Sequence, residues 1–133
     1  MREIKFRGRA IDSGEWAYGF LLLTDVRAYI HPGRDGLDFD DIDFGYGFIQ
    51  VDPKTIGQFT GLLDKNGKEI YEGDIVASPD IIYGEMDNNL VSYCDGYWYP
   101  LVTVEQDYNA IDRYRPEDFE IIGNIHENPE LLN

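Results

Sequence analysis

Ile4-Lys5-Phe6-Arg7, the turn Asp12-Ser13-Gly14-Glu15 and the run Trp16-Ala17-Tyr18-Gly19-Phe20-Leu21-Leu22-Leu23 together decide the fold class. Ile4 and Phe6 alternate with Lys5 and Arg7, the period-two pattern of a half-buried strand. The following turn residues and the apolar run from Trp16 to Leu23 complete a hairpin over residues 3–23. That run is about eight residues long, whereas a membrane span needs about twenty. It therefore reads as a buried strand.

The same grammar continues outward from this hairpin. Arg27 to His31 reads as a short third strand, ended by Pro32 and Gly33. Residues 34–45 read as a loop with five aspartates, and Tyr46 to Val51 as a strand broken at Asp52-Pro53. Thr55 to Thr60 is expected to be extended. Asp64-Lys65-Asn66-Gly67 then makes a tight turn, because Asn-Gly tolerates the positive φ that hairpins demand. Ile70-Tyr71, Asp74 to Ser78 and an extension over 80–84 read as strands, and Glu85 to Asn89 as a polar turn. Leu90 to Cys94 and Tyr97 to Val104 read as a second hairpin. Residues 105–115 fit either a helical turn or a loop. Phe119 to Ile125 reads as a strand, and Asn128-Pro129-Glu130-Leu131-Leu132 as a short helix with Pro in its first turn. Many short strands joined by tight turns predict a mainly β, antiparallel protein. Its strands form a small barrel or a sandwich, with a short C-terminal helix.

A length of 133 residues is one domain's worth, and with 43% hydrophobic residues the protein can bury a core without a staple. Residues 1–133 are accordingly expected to form a single domain. The lone cysteine, Cys94, rules out an internal disulfide and points to a reducing compartment. No apolar region follows the basic N-terminus, so a secretory signal is not expected and the cytoplasm is. Net charge is −15. Residues 1–34 carry four acids and six Lys or Arg, a net of +2, while residues 35–133 carry 22 acids and five Lys or Arg, a net of −17. The acidic body opposes binding to nucleic acid or anionic membranes and favours basic surfaces. It also serves simply to keep a small protein soluble.

Chemistry-bearing patterns are few. The histidines, His31 and His126, are far apart in sequence and lie in no motif, so a structural or solvated role is expected for each. Cys94 sits in acidic surroundings that do not favour a thiolate. Asp38, Asp40, Asp41 and Asp43 are the metal candidates, since hard cations want several carboxylate oxygens. Their spacing is not that of a calcium loop: with Asp41 first, Tyr46 stands where glycine is needed. A solvated acidic loop is the simpler reading. No phosphate-binding glycine motif is present and no cofactor is implied. Lys5, Arg7 and Arg9 alternate on one face of the first strand, with Ile4 and Phe6 on the other, and are the binding candidates. Such a stripe can contact phosphates, or it can pair with the protein's own acids or with those of a neighbouring subunit.

Three segments carry a resemblance. They are Ile4-Lys5-Phe6-Arg7-Gly8 with Gly14-Glu15-Trp16-Ala17-Tyr18-Gly19; Thr55 through Leu62 and on from Asp64 to Val76; and Ile121-Ile122-Gly123-Asn124-Ile125-His126-Glu127-Asn128-Pro129-Glu130-Leu131-Leu132. Their order and spacing resemble the YopX family of bacteriophage and prophage proteins over nearly the whole sequence. Residue 17 is Ala where the family's Trp-x-Tyr-Gly segment has Val, and residues 34–45 and 80–115 lie outside the resemblance. The resemblance implies a phage accessory protein, cytoplasmic in the bacterial host, with no catalytic residues to carry over.

The reading that follows is a non-catalytic module that binds an unknown host or phage protein. One form of it has the acidic face imitate nucleic acid. The alternatives are a self-assembling structural protein and a metal-assisted hydrolase using the Asp35–Asp43 cluster.

Overall fold

Alternation along the N-terminal stretch produces a ladder with one apolar face. In the structure, a computed structural model that describes residues 4–33, 47–79, 86–94, 97–101 and 118–132, strand β1 (Phe6–Arg9) pairs antiparallel with β2 (Trp16–Leu23). Phe6 lies opposite Gly19, and Arg9 opposite Trp16. The protein divides into two compact units, Met1–Phe59 and Thr60–Asn133.

In the first unit β2 continues into β3 (Ala28–His31), and β3 pairs with β4 (Ile49–Val51). Ala17, Ala28, Ile30 and Val51 are buried together, with Phe6, Leu21 and Ile56 packed against them. The sheet curls until the end of β1 reaches β4. Ala10 bridges to Val51, the Ile11 N–H donates to the Gln50 carbonyl at 3.0 Å, and the Asp52 N–H donates to the Arg9 carbonyl at 2.9 Å. This curl puts Gly8 against the opposite wall: a Cβ there would lie 2.8 Å from Val51 Cγ2 and 2.9 Å from its Cβ. Glycine is required at this position by close approach. The strand expected from Tyr46 begins at Ile49 among the described residues.

Pro53 diverts the backbone into a 3-10 turn over Pro53–Thr55, so Thr55, expected in a strand, is not extended. Asp52 caps this turn by accepting the Lys54 N–H at 3.0 Å. The Thr55 hydroxyl accepts the Arg9 N–H at 2.8 Å, which ties the turn to β1. Strand β5 (Gly57–Leu63) starts beside β1, with Gly57 opposite Arg7, and runs on into the second unit.

In the second unit the expected turn at Asp64-Lys65-Asn66-Gly67 leads from β5 to β6 (Glu69–Tyr71). Gly67 has φ +80°, the left-handed value that glycine takes at little cost. Strand β7 (Asp74–Pro79) lies between β8 (Met86–Leu90) and β11 (Glu120–Asn124), and β9 (Ser92–Cys94) pairs with β10 (Tyr97–Tyr99). Ile70, Val76, Val91, Trp98, Leu101 and Phe119 form the core, with Leu62 and Ile121 against it.

Several expectations change here. Glu85 to Asn89 is not all turn, because Met86–Leu90 forms β8, in register with β7 from Met86 opposite Pro79 to Leu90 opposite Ile75. Pairing along an apolar neighbour outweighs the low strand propensity of Asp and Asn. The strand expected from Tyr97 to Val104 ends at Tyr99, since Pro100 has no N–H to give a ladder. The C-terminal helix is a 3-10 turn, Pro129–Leu132. The extension over 80–84 and the ambiguous segment 105–115 lie outside the described residues. The described strands form antiparallel sheets, and the first unit's sheet curls to the Ala10–Val51 bridge, but no ladder among the described residues closes a barrel. Among the same residues no helix is long and apolar enough to cross a membrane.

Candidate functional site

The β1 ladder fixes where its cations lie. Lys5, Arg7 and Arg9 occupy alternate positions, so all three fall on the face of the sheet away from Phe6 and Ala17. The three heads have different surroundings. Lys5 Nζ sits 5.1 Å from the Phe59 ring centroid. The Arg7 guanidinium carbon lies 4.8 Å from the Trp16 ring centroid, and Arg7 is only 6% exposed. Arg9 is exposed, and its Nε donates to the Gly14 carbonyl at 3.0 Å. Cations over aromatic faces are attracted by the ring quadrupole, by about 1 kcal/mol or more when partly desolvated.

The cross-strand register supplies the aromatics. Trp16 stands opposite Arg9 and Tyr18 opposite Arg7, and Tyr18 is 45% exposed. The candidate stripe is therefore an alternation of cations and aromatic rings on two paired strands. Sequence alone shows the cations. The rings belong to the site only through register, which Phe6 opposite Gly19 sets.

The acids of the second unit have a different use. Asp64 is 4% exposed. Its Oδ1 accepts the N–H groups of Asn66 at 2.8 Å and Lys68 at 2.9 Å, and its Oδ2 accepts the Ile121 N–H at 3.1 Å. Burial pushes this carboxyl up, but the backbone donors of Ile121, Lys68 and Asn66, with the Lys68 charge, outweigh it. Asp64 therefore stays below its ordinary value. Asp74, also buried, accepts the Tyr71 N–H at 2.8 Å. Asn124 Oδ1 accepts from the N–H groups of His126 at 3.0 Å and Glu127 at 2.9 Å. The Asn128 side-chain oxygen accepts the Asn124 N–H at 3.3 Å. None of these backbone acceptors stood out in the sequence as a site residue. Asp at the first position of Asp-x-Asn-Gly is a turn signature that marks Asp64.

The remaining candidates are placed as follows. His31 Nδ1 accepts the Gly33 N–H at 3.0 Å, and its ring meets Phe48 edge-on at 5.0 Å between centroids. His31 lies in the first unit and the exposed His126 in the second. Cys94 ends β9. Asp38, Asp40, Asp41 and Asp43 lie outside the described residues. Among the described residues, no group of three or more His, Cys, Asp or Glu is gathered as a metal site.

An antiparallel β protein of this size, with a cation–aromatic ladder in one unit and buried acids that bind backbone in the other, defines a class by fold. Comparison with known proteins gives the family. The model of the YopX family, described as "YopX protein", matches residues 5–133, and the chain belongs to that family. It is also similar to the crystal structure of protein EF1440 from Enterococcus faecalis, at 29% identity and a TM-score of 0.54, covering 100% of both sequences. No curated protein matches it.

Proposed function

We propose that this protein is a non-catalytic binding module of a phage or prophage, acting in the cytoplasm of a bacterial host. In this reading it contacts a protein partner through the β1–β2 face of the first unit. The observation that carries it is Tyr18, 45% exposed, on the same face as exposed Arg9 and beside the Arg7–Trp16 stack. Tyr, Trp and Arg dominate binding energy at protein interfaces, and a paired ladder presents them with little ordering cost. Family membership supports the phage origin, and a similar protein from a bacterium fits a bacterial host. The use of Asp64, Asp74 and Asn124 as backbone acceptors supports a non-catalytic role for the second unit.

The test compares tagged wild type with the double variant Tyr18→Ala and Arg9→Glu in pull-downs from host lysate. Loss of a partner that wild type retains, with unchanged circular dichroism, supports the reading. Retention of the same partner by the double variant overturns it.

Self-assembly has one specific support, the contrast between net +2 over residues 1–34 and −17 over the rest. Sedimentation as a monomer in both low and moderate salt removes that alternative.

A further inference from the structure

The turn after β5 holds the protein's single Asn-Gly pair, Asn66-Gly67. In such a pair the next backbone nitrogen reaches the asparagine carbonyl most easily, because glycine has no Cβ to hinder it. Both residues are exposed, and a Cβ built at Gly67 meets nothing within 4 Å. Opening this turn therefore breaks few apolar contacts.

Hydrogen bonds oppose the reaction. The Gly67 N–H donates to the Asp64 carbonyl at 3.0 Å. Asp64 Oδ1 holds the N–H groups on either side, Asn66 at 2.8 Å and Lys68 at 2.9 Å. The Asn66 amide itself donates to Glu120 Oε1 at 3.4 Å. While these bonds stand, the Gly67 nitrogen is engaged elsewhere.

We propose that Asn66 is a site of spontaneous amide-to-carboxyl conversion, and that the Asp64 carboxylate sets its rate by holding the turn shut. On opening, the Gly67 nitrogen attacks Cγ of Asn66. A ring bond forms between that nitrogen and Cγ, the Cγ–Nδ2 bond of Asn66 breaks, and the Gly67 proton leaves with the amide nitrogen as ammonia. Water then opens the succinimide at either carbonyl, giving an aspartyl or an isoaspartyl linkage. No oxidant or reductant is required. Either product replaces a donor facing Glu120 with an anion. The isoaspartyl product also adds a methylene to the backbone, which pulls the Asn66 and Lys68 N–H groups off Asp64. Because Asp64 Oδ2 also holds Ile121, the loosening passes from the turn into β11.

The experiment incubates native protein at mildly alkaline pH, beside the same protein unfolded in urea and the variant D64A. Peptide mapping and isoaspartyl-specific methylation follow each site. Conversion at Asn66 is expected in the native protein ahead of Asn88, Asn89, Asn124 and Asn128. In D64A, which strips the acceptor from the Asn66 and Lys68 N–H groups of the turn, it should run at least roughly tenfold faster, since even one lost hydrogen bond of ordinary worth gives about that factor. No conversion of native Asn66 while the urea-unfolded protein reacts fully overturns the site. An unchanged rate in D64A that keeps the native circular dichroism overturns control by Asp64. Should D64A fail to fold, the wild type decides: slower conversion native than in urea supports the clamp, and equal rates overturn it.

Discussion

Replacing Asp64 by Asn keeps the shape of the side chain and removes its charge, which makes it a direct probe of the buried clamp. An amide offers one oxygen. That oxygen can still accept from Asn66 and Lys68, now without the carboxylate charge. The second position becomes an NH2 group that faces the Ile121 N–H, which Asp64 Oδ2 accepts at 3.1 Å. Two donors then meet, and the Ile121 N–H loses its partner. Hydrogen bonds to a charged group contribute roughly 1.5–3 kcal/mol each, and an orphaned buried donor costs about 1–3 kcal/mol. Asn66 and Lys68 are exposed enough for water to compensate part of their loss. The expected cost of D64N at neutral pH is therefore about 3 kcal/mol. Urea unfolding followed by tryptophan fluorescence should show the midpoint falling by about 1–3 M at an unchanged slope. The pH dependence gives a second reading. The folded-state carboxyl is depressed below its ordinary 3.8, so the unfolded state binds the proton first as pH falls. The stabilisation is complete above about pH 4–5 and is lost as pH drops through the folded value, so wild type and D64N should converge in acid. A D64N protein within about 0.5 kcal/mol of wild type at pH 7 would refute the assignment of Asp64 as a structural clamp.

Other perturbations test other joins. Gly8→Ala drives a methyl into Val51 and should cost about 1–3 kcal/mol in thermal or urea unfolding; full stability would show that the sheet is less tightly curled. Gly123→Ala places a Cβ 2.6 Å from Asn128 Oδ1, so its cost should fall in an Asn128→Ala background, as a double-mutant cycle would measure. Asn124→Ala strips the acceptor from two successive N–H groups, and a loss of about 1–2 kcal/mol is expected, with faster amide exchange at His126 and Glu127.

The sequence showed the strands where alternation met apolar neighbours. Trp16 to Leu23 was legible residue for residue, because one side of β2 packs on Ala28 and Ile30 and the pattern records it. Met86–Leu90 was not, since its Asp and Asn side chains carry no strand signal and its place depends on β7, which no local pattern encodes. The bend at Pro53 shows the same limit. Pro53 announced a break, but that the break would be a 3-10 turn capped by Asp52 depended on the Thr55 hydroxyl finding β1. For the candidate site, alternation gave Lys5, Arg7 and Arg9 one face. It could not show that Arg7 is covered while Arg9 is exposed, because burial is set by what packs above the strand.

The segments that carry the family resemblance contain the acids and amides that an unaided reading would take for chemistry. Their geometry gives them another occupation. A carboxylate that accepts three backbone donors, as Asp64 does, has most of its acceptor sites occupied and its charge stabilised. Asn124 and Asn128 are committed in the same manner around β11. Recurrence of such residues across relatives would follow from folding alone, because turns need acceptors at fixed offsets. Under the proposed binding role, variation in partner choice is to be sought at the exposed Arg9 and Tyr18 of the β1–β2 ladder. Exchanging those two residues between family members should move binding preference without moving stability.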